Sequence, residues 1–343
     1  MACANWLASA CLADLEEKRH SMSLALKTAG HSFLRGEAEW ISGLNAIIGP
    51  SGAGKTTLLR LLAGLGEKTA DIRFKNAAWQ GRDHYLPPYL RPIAFVPQYP
   101  SLIPFRRIRQ QIEWVLSPSS RSYLEEWAEE LEILPLLDRY PRMLSGGEQQ
   151  RAAILRALAT GQPMLLLDEA LSQVEDRLRQ HCLQCLKHNP PVPWVFYSTH
   201  RLEEALEFSD TLTVITEGQI HSPQTPQDLL MAPPNAHVAW MLGYRGSFPL
   251  DSQRFVLIHP ARVVLGAHPE QGLVYPARID VRSKPRSLLS QWTVSGHNTT
   301  WHWDLPQYVK EWQGNAITII DPVIVSYALN REEAQSYAQH VSW

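Results

Sequence analysis

A chain of 343 residues with 32 basic and 34 acidic side chains carries a formal charge of −2. That balance leaves no electrostatic footprint for a nucleic-acid backbone, and the length is enough for two domains. No apolar stretch reaches the roughly 18 residues of a membrane-spanning helix.

The start, Met1-Ala2-Cys3-Ala4-Asn5-Trp6-Leu7-Ala8, is mildly apolar but has no basic lead, and Asp14, Glu16 and Glu17 follow closely. That pattern is wrong for a secretory signal. Residues 1–21 are expected to be a peripheral extension, as from an upstream start codon. Strand-like texture begins at Ser23-Leu24-Ala25-Leu26.

Residues 49–57 read Gly49-Pro50-Ser51-Gly52-Ala53-Gly54-Lys55-Thr56-Thr57, which fits the pattern G-x-x-x-x-G-K-[ST]. Leu44–Ile48 before it reads as a buried strand, and Leu58–Leu65 after it as a helix with a glycine near its end. Glycines let successive backbone N–H groups turn inward. Those amides and the helix N-terminus offer partial positive charge to phosphates. Lys55 adds a full charge and Thr56 a hydroxyl for Mg²⁺. The loop points to a purine nucleoside triphosphate, ATP in the reading below.

Ile93-Ala94-Phe95 is a further short strand, and Val96-Pro97-Gln98 follows it. A neutral amide is no strong base, but it can bridge Mg²⁺ and a water. Residues 99–143 change texture: Arg106–Leu116 suggests an amphipathic helix, Pro118-Ser119-Ser120 breaks it, and Leu124, Trp127, Ala128, Leu131 and Leu134 recur at helical spacing. The cluster Arg106-Arg107-x-Arg109 reads as a solvated helix face. Then comes Leu144-Ser145-Gly146-Gly147-Glu148-Gln149-Gln150-Arg151, a turn and helix start with a second glycine pair. One nucleotide needs one phosphate loop, so this pair calls for a different anion, expected to be the far side of an ATP held by another subunit.

Met164-Leu165-Leu166-Leu167-Asp168-Glu169 is an apolar run ending in two carboxylates. Such a run reads as a strand buried on both faces of a parallel sheet, with its end at the ligand-bearing edge. Asp168 is expected to hold Mg²⁺, and Glu169 to serve as general base toward the attacking water. Arg177–Lys187 reads as a helix carrying Cys182-x₂-Cys185 between His181 and His188. A metal site there would have to leave the helix or take ligands from elsewhere, so small core residues are the preferred reading. Val195-Phe196-Tyr197-Ser198-Thr199-His200 is another buried strand with a histidine at its end, placed for the γ-phosphate edge. Asp210–Ile215 and Gly218-Gln219-Ile220 form a hairpin pattern. The stretch 222–243 is Pro-rich, then helical around Ala236–Leu242.

From Ser247 the texture becomes β: Phe255–Ile258, Arg262–Leu265, Leu273–Tyr275, Trp292–Val294, Thr299–Trp303 and Ala316–Ile320 are short strand-like runs. Many short strands in about a hundred residues argue for a small barrel. Trp292, Trp301 and Trp303 are better read as its core than as a ligand site.

With these motifs in order, residues 22–245 resemble the ATP-binding subunits of ABC transporters. Gly49–Thr57 is similar to the Walker A loop of that family, Met164–Glu169 to Walker B, Gln98 to the Q-loop glutamine and His200 to the switch histidine. Leu144–Arg151 is similar to the signature sequence that separates the family from other loop-bearing ATPases. The fold this implies is an α/β P-loop ATPase core with a helical subdomain, plus a C-terminal all-β barrel. The expected bounds are 1–21 extension, 22–235 ATP-binding domain with its helical subdomain at about 99–160, 236–246 linker and 247–343 barrel. His259-Pro260-Ala261-Arg262-Val263 resembles the TOBE-type barrel of importer ATPases.

The resemblance implies ATP hydrolysis with Mg²⁺ held by Thr56, Asp168 and Gln98, and chemistry by Glu169, His200 and Gln98. It implies a head-to-tail homodimer with each ATP between Gly49–Thr57 of one chain and Ser145, Gly146, Gly147 and Glu148 of the other. Two transmembrane permease subunits, an extracytoplasmic binding protein and a place on the cytoplasmic face of the cell membrane follow, with no nucleic acid. An inorganic oxyanion such as molybdate is the favoured cargo, with iron(III), polyamine, sulfate or sugar as alternatives, and a soluble non-transport ABC ATPase as another class. Two departures stand out. Glu175 occupies the place of the D-loop aspartate, with Asp176 next, and Ala170 replaces the usual proline. The adenine-stacking aromatic is open among His31, Phe33 and Trp40.

Overall fold

The computed structural model describes residues 23–28, 33–75 and 77–244, and nine strands between 246 and 325. Residues 1–22, His31 and His259–Arg262 lie outside them, as do the side chains of Trp292, Trp301 and Trp303. The chain divides into two compact units, Met1–Pro226 and Gln227–Trp343. Among the described residues no helix is long and apolar enough to cross a membrane.

In the first unit the strands are β1 (Leu24–Thr28), β2 (Glu37–Trp40), β3 (Gly43–Ile48), β4 (Ala70–Phe74), β5 (Ala77–Gln80), β6 (Ile93–Val96), β7 (Met164–Asp168), β8 (Trp194–Thr199), β9 (Thr211–Thr216) and β10 (Gln219–Ile220). The helices are α1 (Lys55–Ala63), α2 (Ile108–Val115), α3 (Arg121–Glu130), α4 (Gly146–Ala159), α5 (Asp176–His188) and α6 (Leu202–Phe208). The larger sheet runs β10-β9-β3-β8-β7-β6, parallel except for the β9–β10 hairpin. Its central strands β3, β7 and β8 are buried almost throughout, as their largely apolar sequences require. The smaller sheet, β2-β1-β4-β5, is antiparallel and alternates, with Leu24 and Leu26 buried and Lys27 exposed.

Both sheets contribute to one core with α1. Leu58, Leu59, Leu61 and Leu62 of α1 join Trp40 and Ile72 of the small sheet and Ile47, Leu166, Trp194 and Phe196 of the large one. Trp40 meets Phe196 edge to face at 5.5 Å, and its indole N–H donates to Thr213 Oγ1 at 2.7 Å. Burying one such side chain contributes on the order of 1.5–3 kcal/mol, so this core fixes α1, and with it the loop before α1, against the sheet. Arg91 completes the C-terminal end of α1: its buried guanidinium donates to the carbonyls of Leu61 and Leu62 at 2.8 and 2.6 Å.

Residues 99–143 hold short helices, shorter than the sequence spacing suggests. The first helix begins at Ile108, so Arg106 and Arg107 precede it. The second ends at Glu130, because Leu131 caps it and Glu132 takes the left-handed conformation (φ 49°). Leu134 therefore sits in a separate single turn, Leu134–Leu136.

The second unit holds α7 (Pro226–Met231, which straddles the division) and α8 (Ala236–Met241), started by Asn235, whose side chain accepts from the Val238 amide at 2.8 Å. Its strands are β11 (Gly246–Pro249), β12 (Phe255–Ile258), β13 (Val263–Leu265), β14 (Gly272–Pro276), β15 (Arg278–Ser283), β16 (Leu289–Gly296), β17 (Thr299–Pro306), β18 (Ala316–Ile320) and β19 (Val323–Val325). They form three antiparallel sheets, β11-β12-β19, β13-β18-β14 and β15-β16-β17. β15 escapes the sequence reading because its alternation, Ile279 and Val281 among charged residues, is only three turns of polarity long.

Candidate functional site

The parallel register decides where the chemistry can be. Ile48 of β3 lies opposite Thr199 of β8, and Asp168 of β7 opposite Ser198. Val96 of β6 lies opposite Leu167. The four strands therefore end together, and the residues that follow them, Gly49, Glu169, His200 and Gln98, leave from one edge of the sheet. That edge is where open α/β sheets bind ligands.

The loop after β3 wraps toward its own helix. Gly54 caps α1 in the left-handed region (φ 116°), and a Cβ there would lie 2.5 Å from the Leu34 side chain. Glycine is thus required by both conformation and space. Gly52 (φ 78°) has open space on its Cβ side. No side chain caps α1, so its first-turn amides, which have no intrahelical partner, remain for an anion. Lys55 is buried, 6% exposed, and its ammonium donates to the carbonyls of Gly49 (2.8 Å) and Pro50 (3.2 Å). Burial pulls its pKa below the usual lysine value, while Glu169 and Asp168 push the other way. A buried cation whose nearest carboxylate oxygen, on Glu169, is 3.9 Å away gains from a polyphosphate in the loop.

The carboxylates are held as a pair. Asp168 Oδ1 accepts from Thr56 Oγ1 at 3.0 Å and from Ser198 Oγ at 2.9 Å. The Glu169 amide donates to the same Ser198 hydroxyl at 2.9 Å. Glu169 itself is left-handed (φ 47°), a conformation that costs about 1–2 kcal/mol in a residue with a Cβ. The turn sends its carboxylate to Gln98, whose Nε2 donates to Oε2 at 3.0 Å. Gly49, Pro50, Lys55, Thr56, Asp168, Glu169 and Gln98 are therefore one connected cluster. The hydroxyl of Thr56 and the carboxylate of Asp168 fit Mg²⁺, a hard cation that takes one or two protein oxygens beside phosphate and water. Ser51 and Gly52 are exposed on the same loop, Thr57 is exposed on the first turn of α1, and Ala53 is buried in the loop.

His200 is exposed just past β8 and shares with Glu169, Ser172 and Ser198 the lining of a small cavity of about 20 Å³. Among the aromatic candidates, Trp40 is fully buried, so it cannot stack on a base; Phe33 is 61% exposed and borders Gly54.

The second glycine pair is placed differently. Ser145 starts α4 with a capping box: its hydroxyl accepts from the Glu148 amide (3.3 Å), and the Glu148 carboxylate accepts from the Ser145 amide (2.7 Å). That hydrogen bond holds the Glu148 carboxyl below the ordinary carboxylate range. A Cβ on Gly147 would lie 2.7 Å from the Gln173 carbonyl oxygen, and one on Gly146 would meet the Gln173 side-chain amide at 1.9 Å. Among the described residues, no hydrogen bond or ion pair joins Ser145–Glu148 to the Lys55 loop. What joins the two regions is Gln150, fully buried one turn on. It accepts from the Gln173 amide (2.9 Å) and donates to Ser172 Oγ (3.2 Å) and weakly to the Glu169 carbonyl (3.5 Å). Gln150 and Ser198 were not singled out from sequence; a glutamine on an otherwise buried helix face and a serine beside a strand-end carboxylate were the available signals. Glu175 precedes α5 exposed and without a cap bond, while Asp176 pairs with Arg179 at 2.7 Å and Arg201 at 3.4 Å.

Fold and cluster define a P-loop nucleotide-binding protein. The family described as "ABC transporter" matches residues 42–172. Relatives include a molybdenum import ATP-binding protein of Saccharophagus degradans (36% identical, covering 52% of this chain and 51% of that protein), a spermidine/putrescine import ATP-binding protein of Bacillus cereus (34%; 63% and 68%) and a sulfate/thiosulfate import ATP-binding protein of Shewanella oneidensis (32%; 71% and 73%). The chain belongs to the ABC transporter family of ATP-binding proteins. It spans about half the length of the molybdenum import proteins it matches, 51% and 52%. A bacterial ABC exporter with ATP bound is similar in structure (28% identity, TM-score 0.55, 64% of this chain and 41% of that one). An ATP-binding subunit of an ABC transporter at 21% identity and TM-score 0.51 (60% and 91%) shares the fold.

Proposed function

We propose that this chain is the ATP-hydrolysing, energy-coupling subunit of an importer, working on the cytoplasmic face of the cell membrane. The observation that carries the reading is the hydrogen-bonded chain Thr56–Asp168–Ser198–Glu169–Gln98 beside the buried Lys55. In it, Lys55 and the α1 amides bind the β- and γ-phosphates. Thr56 and Asp168, with Gln98 at the edge, would hold Mg²⁺, which supplies neutralisation of the phosphate charge. Glu169 accepts a proton from the attacking water as the new P–O bond forms. The bond to the β-phosphate oxygen breaks, giving ADP and inorganic phosphate. His200 orients the γ-phosphate edge, and Phe33 stacks on the adenine.

Ser145, Gly146, Gly147 and Glu148 serve the ATP of a second copy, head to tail. Two permease subunits and an extracytoplasmic binding protein complete the assembly. The exposed Tyr99, Phe105 and Trp114, in the segment after Gln98, suit a docking surface for a permease. Residues 22–235 are the ATP-binding domain, and 247–343 a TOBE-like barrel joined through 236–246. An oxyanion such as molybdate is the cargo this reading favours, since relatives named for molybdenum import match the chain alongside those named for polyamine and sulfate.

Glu169→Gln tests the reading. Turnover falls by about 10²–10⁴, while a fluorescent ATP analogue binds as before and the chain runs as an ATP-dependent dimer on gel filtration. Unchanged turnover would remove Glu169 from the base role, and no ATP turnover by the unsubstituted chain would overturn the ATPase reading.

A further inference from the structure

The Cys182-x₂-Cys185 stretch takes no part in the nucleotide chemistry, and along a helix its two thiols and the flanking histidines do not converge. The fold selects among them. Cys182 turns into the core. His181 and Cys185, four apart, share one face of α5, and Glu130, the last residue of α3, comes against that face. The Cys185 thiol donates to Glu130 Oε2 at 3.4 Å and lies 3.7 Å from His181 Nε2. The same Glu130 oxygen is in hydrogen-bond contact with His181 Nε2. One turn along, Asn189 Nδ2 donates to Glu126 Oε1 at 2.9 Å and fixes the register of the two helices.

All three donor atoms lie within 4.8 Å of one another. Two donors on a tetrahedral zinc, with bonds of about 2.3 Å to sulfur and about 2.0 Å to nitrogen or oxygen, stand roughly 3.5 Å apart. The sulfur therefore already stands at metal-like separations from both partners. His181 and Glu130 are 48% and 35% exposed, which leaves a path for entry and room for a water. One sulfur, one imidazole and one carboxylate make a borderline-soft set that suits Zn²⁺ and not Mg²⁺.

We propose that Glu130, His181 and Cys185 form a three-ligand Zn²⁺ site, closed by a water as fourth ligand. On binding, a Zn–S bond forms and the Cys185 proton leaves to solvent. The ion ties α3, in the insertion ahead of the Ser145 helix, to α5, which follows the Asp168–Glu169 turn.

Titration of the untagged full chain with Co²⁺, without nucleotide, tests this. The expected result is one Co²⁺ per chain with a sulfur-to-cobalt absorption band in the near ultraviolet, displaced by Zn²⁺. Cys185→Ser abolishes the band, His181→Ala and Glu130→Gln weaken binding at least about tenfold, and Cys182→Ser changes neither. A band that survives Cys185→Ser, or Co²⁺ affinity unmoved by both His181→Ala and Glu130→Gln, overturns the proposal. A second measurement needs no variant: Zn²⁺ protects Cys185 of the native chain from iodoacetamide, read by peptide mass spectrometry, and equal labelling with and without Zn²⁺ overturns it as well.

Discussion

Two helices of this protein begin on glycines, and their surroundings are opposite. At α1 the glycine leaves a row of amides uncapped beside a buried lysine, with Thr56, Asp168, Glu169 and Gln98 converging. At α4 the N-terminus already has its own cap, Ser145 with Glu148, and the glycines lie under the Gln173 backbone and side chain. The first end has the geometry of the phosphate cradle proposed above, assembled within one chain. The second is closely packed, and among the described residues its hydrogen-bond link to the first runs through Gln150 and the turn at Glu169–Gln173. A glycine at a helix end can thus go with an uncapped row of amides, or with a neighbouring backbone that must come close.

The largest effect separates the two ends outright. Lys55→Ala removes the buried cation held against the Gly49 and Pro50 carbonyls, so ATP binding and turnover are expected to fall by at least about 10²-fold. Isothermal titration with ATP and a phosphate-release assay measure both. Loss of turnover with ATP affinity intact would mean that the cradle's amides alone hold the nucleotide.

Gly147→Ala comes next. The Cβ would meet a backbone oxygen at 2.7 Å, and the turn that carries it is tied to Glu169 through Gln150. Overpacking of this kind costs about 1–3 kcal/mol, partly offset by the roughly 1 kcal/mol helix preference of alanine over glycine. Gly146→Ala meets only the end of the flexible Gln173 side chain, which can swing away, so it is expected to be neutral or slightly stabilising. Urea unfolding measures the pair. If both variants keep full ATP turnover at high protein concentration, α4 receives no second nucleotide and the difference between the helix ends is one of packing alone.

Much of the first helix end was legible in sequence, because its chemistry is local: the loop is contiguous, and the apolar runs before Asp168 and His200 announce strands whose ends must meet in a parallel sheet. The surroundings of the second end were not. Gln150, Ser172 and Gln173 are ordinary polar residues in sequence, and only the return of the chain after Glu169 under α4 gives them partners. The same limit governs the cysteines: Cys182 and Cys185 look alike in sequence, but packing of α3 against α5 buries one and hands the other to Glu130. Trp40, open as a stacking residue in sequence, is taken by the core through Phe196 and Thr213.

Gln150→Leu tests the link between the ends. It keeps the volume but removes the partner of the Gln173 amide and Ser172 hydroxyl; both residues are exposed, so water can replace part of the loss and the cost is about 1 kcal/mol. Turnover is expected to fall further than stability explains, since the Glu169 carbonyl loses a contact. A parallel drop in stability and activity, both restored by low temperature, would confine Gln150 to packing.

The smallest effect lies in the α4 cap and carries a definite sign. The Ser145 amide holds the Glu148 carboxyl below its ordinary range, so its folded pKa is depressed relative to the unfolded chain. Stability from the cap is therefore fully present above the unfolded value of about 4.3 and is lost as pH falls through the depressed folded value. Glu148→Gln keeps a side chain able to accept from the Ser145 amide but cannot ionise. It is expected to cost about 0.5–1 kcal/mol at pH 7, discounted because the pair is solvent-accessible, and nothing once pH is well below 4. Urea midpoints of the two chains should thus converge on acidification. The cradle at α1 contains no such cap, so a difference that instead grew toward low pH would mean that Glu148 is held by something other than its own helix end.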